Sequence, residues 1–284
     1  MQDVRFYLST QVFKLISEIF FALIISVIQF YSGSEVAQYA STHLPGLLKE
    51  RVSWKRGDYK EAIKEAFLEF DNLLRSKFFY TLNYLRKNLK ENIAYGGPSS
   101  DTPGEDSGTT ACLLLIFEDR VIVGNAGDSR AVLCRKGTAI ELSVDHKPED
   151  DLERRRIEAA GGEISIDGRV NGGLNLSRAL GDHFYKKNEA LPLEDQMISS
   201  NPDVNENKLE PDDEFVIVAC DGIWNSLSSQ EAVDFVRNRL SNGISLKEIC
   251  EQMCDECLSP DTAGDGTGCD NMTVVIMQLL RKDW

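Results

Sequence analysis

An excess of positive charge is missing from this 284-residue chain: 31 lysines and arginines stand against 46 aspartates and glutamates, a net charge of −15 with a pI near 4.7. Such a chain repels nucleic-acid phosphates, so the expected partners are phosphoproteins or other proteins and no nucleic acid. A long uncharged run is missing too. Residues 19–34 carry no charge, but a helical membrane span needs about 20 residues, and Asp3 with the single Arg5 makes a poor signal-peptide start. The run reads as a buried strand, with no membrane association expected. An even set of cysteines is also absent. The seven (112, 134, 220, 250, 254, 257 and 269) include three in apolar, strand-like stretches, Cys112, Cys134 and Cys220. That usage fits a reduced chain of the cytoplasm or nucleus. Cys250, Cys254 and Cys257, with Cys269 beyond, have a spacing that hints at zinc. On a helix over residues 245–258, however, these positions share one face with Ile249 nearby, as core packing would require. No internal repeat is apparent, and the length suits one domain over residues 1–284, expected to be a monomer.

What the chain does have is clear periodicity. Ala62, Ile63, Ala66, Phe67 and Phe70 predict an amphipathic helix over residues 58–76 packed on a sheet. Residues 148–160 predict a charged helix ended by Gly161-Gly162. Residues 229–240 predict another, with Ser228 or Ser229 as cap and Glu231 placed for a capping box. Strands are predicted over 111–117, 120–125, 131–134, 215–219 and 272–278. Residues 95–107, built of Gly, Pro, Ser and acid, read as a flexible surface linker.

Two of these strands carry an aspartate at one end. Cys220-Asp221-Gly222 closes the first, and Asp270-Asn271 opens the second. A strand end holds a carboxylate rigidly, which suits Mg²⁺ or Mn²⁺, hard ions that prefer oxygen ligands. Asp-Gly after a strand is also an ordinary turn, and on local pattern alone both readings stand.

The middle of the chain adds further motifs: Ser107-Gly108-Thr109-Thr110-Ala111, Asn125-Ala126-Gly127-Asp128-Ser129-Arg130, Asp145-His146-Lys147-Pro148-Glu149-Asp150, the stretch 167–182, and 220–225. With Asp270-Asn271 they cover about residues 107–280 in order, and over that span the chain resembles the metal-dependent protein serine/threonine phosphatases of type 2C, in particular their gamma isoform. The resemblance implies an α+β fold, a four-layer αββα sandwich of two antiparallel sheets flanked by helices. It also implies two Mg²⁺ or Mn²⁺ ions about 4 Å apart, activating a water that attacks phosphoserine or phosphothreonine directly. By motif position, Asp221 and Asp270 correspond to metal aspartates and Asp145 to a residue helping to hold a weaker third ion. Many relatives have an aspartate where this chain has Asn225, which removes a charge from that third site.

The N-terminal part departs from the pattern. The family opens with a phosphate-binding Arg, a Glu-Asp pair four residues on, and an Asp-Gly-His-Gly-Gly turn nineteen residues after that Asp. Here Arg5 falls where the arginine belongs, Ser9-Thr10 replaces the acidic pair, and Gln29-Phe30-Tyr31-Ser32-Gly33 replaces the turn. Glu35-Val36-Ala37, Tyr39 and His43-Leu44-Pro45 fit the helix that follows, and the retained spacings argue against a misjoined reading frame. Gln29 offers a dication only a neutral carbonyl oxygen, and Phe30 puts a Cβ substituent where a glycine lets backbone approach an ion. At most one weakly bound ion is expected, and hydrolysis is expected to be weak or lost; the alternative is a pseudophosphatase that binds proteins or phosphopeptides. Neither His146 nor His183 replaces the family's acid histidine, whose place is taken by Tyr31. Asp128 reads as a structural acceptor in a turn, and Arg178 and Asp182 as holding the fold around Gly172-Gly173. Asp221 and Asp270 also admit a bland reading, as relics that hydrogen-bond nearby backbone.

Overall fold

The structure, a computed structural model, describes residues 6–8, 15–16, 23–30, 35–75, 104–261 and 266–279. In chain order the elements are β1 (Phe6–Leu8), β2 (Leu15–Ile16), β3 (Leu23–Phe30), α1 (Glu35–Glu50), α2 (Val52–Lys55), α3 (Tyr59–Leu74), β4 (Gly108–Ile116), β5 (Arg120–Ala126), β6 (Arg130–Arg135) and β7 (Thr138–Glu141). Then come α4 (Asp151–Ala159), β8 (Leu180–Gly181), β9 (Asp203–Lys208), β10 (Asp213–Ala219), α5 (Asp221–Trp224), α6 (Ser229–Ser241), α7 (Leu246–Cys257) and β11 (Val274–Gln278). The strands form two antiparallel sheets, ordered β1-β11-β10-β6-β7 and β2-β3-β4-β5-β9, with β8 attached to β4.

Strand alternation explains the layers, because successive side chains point to opposite faces. Val216, Val218 and Cys220 meet Cys112, Leu114 and Val123 between the two sheets. Their neighbours Phe215, Ile217 and Ala219 face outward against Val233 and Val236 of α6 and Ile249 and Met253 of α7. On the other side Leu113, Leu115 and Ile122 pack against Leu44, Ile63, Phe67 and Phe70 of α1 and α3. This is the expected αββα sandwich. Full burial of a side chain such as Phe67 or Phe70 contributes about 1.5–3 kcal/mol. Gly124 lets α3 lie close to its sheet, since a Cβ there would come within 2.3 Å of Ile63 Cγ2.

Helix ends follow the capping signals. Asp58 accepts from Glu61 N at 3.3 Å, Ser228 and Glu231 form the capping box, and Ser245 accepts from Glu248 N. Cys250 and Cys257 are buried in the α7 core and Cys254 packs beside it; among the described residues no group of His, Cys, Asp or Glu side chains is arranged to hold a metal ion, zinc included. Within the uncharged run, residues 23–30 are a strand paired along β4 from Leu23↔Ile116 to Phe30↔Thr109. Among the described residues no helix is long and apolar enough to cross a membrane.

Three features differ from expectation. Strand β7 has only four residues, with Ala139 and Ile140 partly buried, and β9 is polar and largely exposed, so neither shows the apolar alternation that marks a strand. The end of the linker is not a loose surface segment: Gly104 and Ser107 are buried, Gly104 O accepts from His183 N at 2.8 Å, and Ser107 Oγ donates to Glu35 Oε1 at 2.8 Å. The rest of it, residues 95–103, lies outside the described residues. Arg178 serves α4 and β9 instead of the Gly172-Gly173 loop: it binds Glu153 Oε1 at 2.6 Å and Asp203 Oδ1 at 2.7 Å.

Candidate functional site

Strand β10 ends at Ala219, opposite Val274 of β11, and the chain turns at once into the short helix that begins with Asp221. Cys220 fixes this turn to the segment before β11. Its backbone N donates to Thr273 O at 3.1 Å, its Sγ accepts from Thr273 N at 3.0 Å, and its thiol donates to Asn271 O at 3.3 Å. Burial pushes that thiol up to about 12, so Cys220 acts as a neutral clasp. Gly222 is required by the same contact: a Cβ there would stand 2.4 Å from Asn271 O. The clasp brings Asp221 and Asp270 into one electrostatic neighbourhood. Asp221 is 6% exposed. The Asp270 carboxyl is raised by desolvation and by the charge of Asp221, although it accepts from Asn271 N at 2.6 Å.

Asp128 lies in the turn between β5 and β6 and is buried. Burial raises its carboxyl to about 6, Lys147 opposes the rise from 3.2 Å, and Asp221 and Asp145 reinforce it. It is thus a paired acid beside Asp221. Asp145 is gripped by Arg130, Nε to Oδ1 at 2.9 Å and Nη2 to Oδ2 at 2.8 Å. Asn225 adds no charge and donates from Nδ2 to Asp221 Oδ2 at 3.3 Å. Asp221 is thus coupled electrostatically to Asp128 and to Asp270, and Asp128 to Asp145, with Asp128 and Asp145 already matched by a lysine and an arginine.

The N-terminal positions fall partly into view. Gln29 and Phe30 close β3, with backbone opposite Thr110 and Thr109, and Thr110 Oγ1 is 2.9 Å from the hydroxyl of Ser129, the neighbour of Asp128. The retained spacing thus leads β3 to the same sheet end as the acidic cluster. Strand β1 ends with Leu8 opposite Val275 of β11. Arg5, Ser9, Thr10 and Tyr31 lie outside the described residues. His146 is buried with Nδ1 3.1 Å from Gly127 O and Nε2 3.3 Å from Asp203, and His183 is buried with Nε2 3.5 Å from Asp71, so both face structural acids and neither faces Asp221 or Asp270. Sequence reasoning missed the Lys147–Asp128 pair, the Arg130 fork and the Cys220 clasp. All three sit inside quoted motifs, but their partners are distant in sequence and no spacing announces them.

Comparisons with known proteins identify the family. The sequence profile of protein phosphatase 2C matches residues 24–266. The chain belongs to the protein phosphatase 2C family. It is 63% identical over 190 residues to protein phosphatase ppm-1.G of Caenorhabditis elegans, covering 67% of this chain and 38% of that protein. It is 56% identical over 188 residues to human protein phosphatase 1G, covering 64% of this chain and 34% of that one, in keeping with the likeness to the gamma isoform. Protein phosphatase 2C homolog 2 of Schizosaccharomyces pombe is 44% identical over 259 residues, covering 89% of this chain and 64% of that protein. The chain thus spans about a third of the length of the first two relatives. A solved phosphatase from Toxoplasma gondii superposes with a TM-score of 0.72 at 24% identity, over 97% of this chain and 91% of that one, a likeness of fold.

The family is in general dependent on Mg²⁺ or Mn²⁺, so the donor set must be measured against such ions. A pair of dications needs several anionic oxygens, because the two ions otherwise repel each other. Asp221 and Asp270 supply two carboxylates, while Lys147 and Arg130 already engage Asp128 and Asp145. Among the described residues no three metal-ligating side chains are gathered. The described residues do not fit a two-ion centre.

Proposed function

We propose that this chain is a type 2C phosphatase domain whose metal-dependent hydrolysis of phosphoserine and phosphothreonine is weak or lost, and which works as a module binding phosphoproteins or other proteins. The observation that carries the reading is the chemistry at the positions of the family's N-terminal ligands: Ser9, Thr10, Gln29 and Phe30 stand there, all uncharged. Losing a single group that supports a metal ligand typically costs 10 to 100-fold in affinity or activity; losing three carboxylate ligands costs more. Asp221 and Asp270 would hold at most one Mg²⁺ or Mn²⁺ weakly, and Arg5 remains as a cation for a phosphate. A monomer of the cytoplasm or nucleus suits the acidic, cysteine-containing composition. The relatives carry the word phosphatase in their names, which supports the competing reading of a working hydrolase, and one assay separates the two.

The purified protein is given a phosphothreonine peptide and a small aryl phosphate with Mn²⁺. No metal-dependent hydrolysis is expected. A companion carrying Ser9→Glu, Thr10→Asp, Gln29→Asp, Phe30→Gly and Tyr31→His together is expected to gain activity; single reversions are expected to show nothing, because residues acting as a unit are strongly non-additive. Turnover by the unmodified chain at about 1 s⁻¹ or more, stopped by EDTA and lost on Asp221→Asn, would overturn the proposal.

A further inference from the structure

Asp145 feels the charge of Asp128, the neighbour of Asp221, yet its carboxylate is committed elsewhere. Arg130 opens β6 opposite Ala219, the last residue of β10, and so stands at the end of the strand that delivers Asp221. Its guanidinium takes both oxygens of Asp145, at 2.9 and 2.8 Å. Its remaining nitrogen, Nη1, donates to Ser229 Oγ at 2.9 Å and lies 3.5 Å from Glu141 Oε1, while the Ser229 hydroxyl donates to the same Glu141 oxygen at 2.7 Å. The guanidinium carbon lies over the ring of Trp224, 5.2 Å from its centroid, at the end of the short helix that begins with Asp221. The side chains of Arg130 and Asp145 are only 19% and 15% exposed.

A planar fork bound to a carboxylate through two parallel N–H···O bonds is among the stronger polar contacts in proteins, and it is specific to arginine. A divalent ion at Asp145 would have to share the carboxylate with the fork on its remaining lone pairs or displace the fork, and in either case stand next to a largely buried guanidinium that repels it. We infer that Arg130 is the resident cation of Asp145. It closes this carboxylate to Mg²⁺ or Mn²⁺, and it ties the Asp145 loop to the start of α6 and to the helix of Asp221. The role assigned to Asp145 by resemblance, help in holding a further ion, is thereby taken over by a side chain of the chain itself. This inference stands on the fork and its contacts, whether or not the protein hydrolyses a phosphoester.

Mn²⁺ binding to the whole chain, read as loss of the free-ion EPR signal, tests it without any assay of activity. Arg130→Met is expected to raise Mn²⁺ affinity by about tenfold, the scale on which a metal-site group is felt, and adding Asp145→Asn to that variant is expected to remove the gain. Arg130→Lys, a point charge without the fork, is expected to gain less. Should Arg130→Met fail to fold, the unmodified protein decides the question by NMR. The Arg130 Nε–H resonance, assigned by its disappearance in Arg130→Lys, is expected to keep its shift and its protection from exchange at millimolar Mg²⁺. Loss of that resonance on adding Mg²⁺, an Arg130→Met protein that folds and gains no Mn²⁺, or a roughly tenfold fall in Mn²⁺ affinity on Asp145→Asn alone would each overturn the assignment.

Discussion

Asp71 and Glu153 lie as deep in this protein as Asp221, but each is met by several cations and donors, whereas Asp128 has one lysine and feels the charges of Asp221 and Asp145. Asp71 receives Lys186 Nζ at 2.9 Å and Gly181 N at 2.7 Å, with His183 Nε2 at 3.5 Å. Burial alone would raise its carboxyl, yet Lys186 and His183 hold it well below the usual range. Glu153 receives Arg178 and Arg156 at 2.6 and 2.7 Å and the Ser177 hydroxyl at 2.5 Å, which bring it down to about 2 against its burial. In the cleft the directions reverse, and Asp128 and Asp270 are both raised. At Asp71 and Glu153 several cations and donors outweigh burial, whereas at Asp128 and Asp270 desolvation, reinforced by the charge of Asp221, outweighs the single lysine of Asp128 and the Asn271 N–H at Asp270.

The comparison breaks most sharply at Lys186. Removing one partner of a buried ion pair strands the other charge, at about 3–5 kcal/mol. Lys186→Met is therefore expected to destabilise by that amount in urea unfolding, and adding Asp71→Asn is expected to recover part of it. A loss below about 1 kcal/mol would rank the pair with exposed ones. Arg178→Met comes next. Glu153 keeps Arg156 and Ser177 in that variant, so the expected cost is about 1.5–3 kcal/mol, that of lost charge-assisted hydrogen bonds.

How far this contrast could be read beforehand depends on distance along the chain. The strand around 215–219 and the helix around Phe67 and Phe70 were legible because apolar periodicity is local, and Ser228 with Glu231 named a helix start within four residues. Asp221 and Asp270 were legible as strand-end acids. The cations that separate fold acids from cleft acids were not: Lys186 meets Asp71 across 115 positions and Arg178 meets Glu153 across 25. Strand β9 stayed hidden for a different reason, since Asp203–Lys208 is an exposed polar edge without apolar alternation. The linker misled because its composition is that of a loop, while Gly104 and Ser107 hold His183 and Glu35.

The two groups also respond oppositely to pH. Glu153 lies below its ordinary value of 4.5, at about 2, so the folded state binds fewer protons there than the unfolded state. Its contribution is present above about pH 4.5 and is lost as pH falls through about 2. Asp128 moves from 3.8 to about 6; the folded state binds more protons, so its contribution is full below about pH 4 and is lost as pH rises through 6. Each pKa unit corresponds to about 1.4 kcal/mol, and with Lys147 sharing the site the expected fall between pH 4 and 7 is about 1–3 kcal/mol. A carboxyl ¹³C titration of Asp128 is expected to show a midpoint near 6, moving down in Asp221→Asn. A midpoint at the ordinary value would show that the cleft is solvated and its acids uncoupled.

The smallest effect separates function from relic. Asp270 is exposed, so water screens its repulsion from Asp221, and Asp270→Asn is expected to stabilise the fold by only a few tenths of a kcal/mol at pH 7. The sign follows from the raised carboxyl: neutralising it removes a charge that the folded state disfavours, and below its ordinary pKa, where the group is already protonated, the substitution is expected to change nothing. The gain is also expected to shrink in about 1 M salt, where the screening length falls to about 3 Å. Paired urea titrations at acid and neutral pH, with and without salt, measure it. If Asp270→Asn instead destabilises by about 1 kcal/mol, the value of an ordinary hydrogen bond, the carboxylate is there for its 2.6 Å bond to Asn271 N. Asp270 would then belong with Asp71 among the acids of the fold, leaving Asp221 alone to attract a cation.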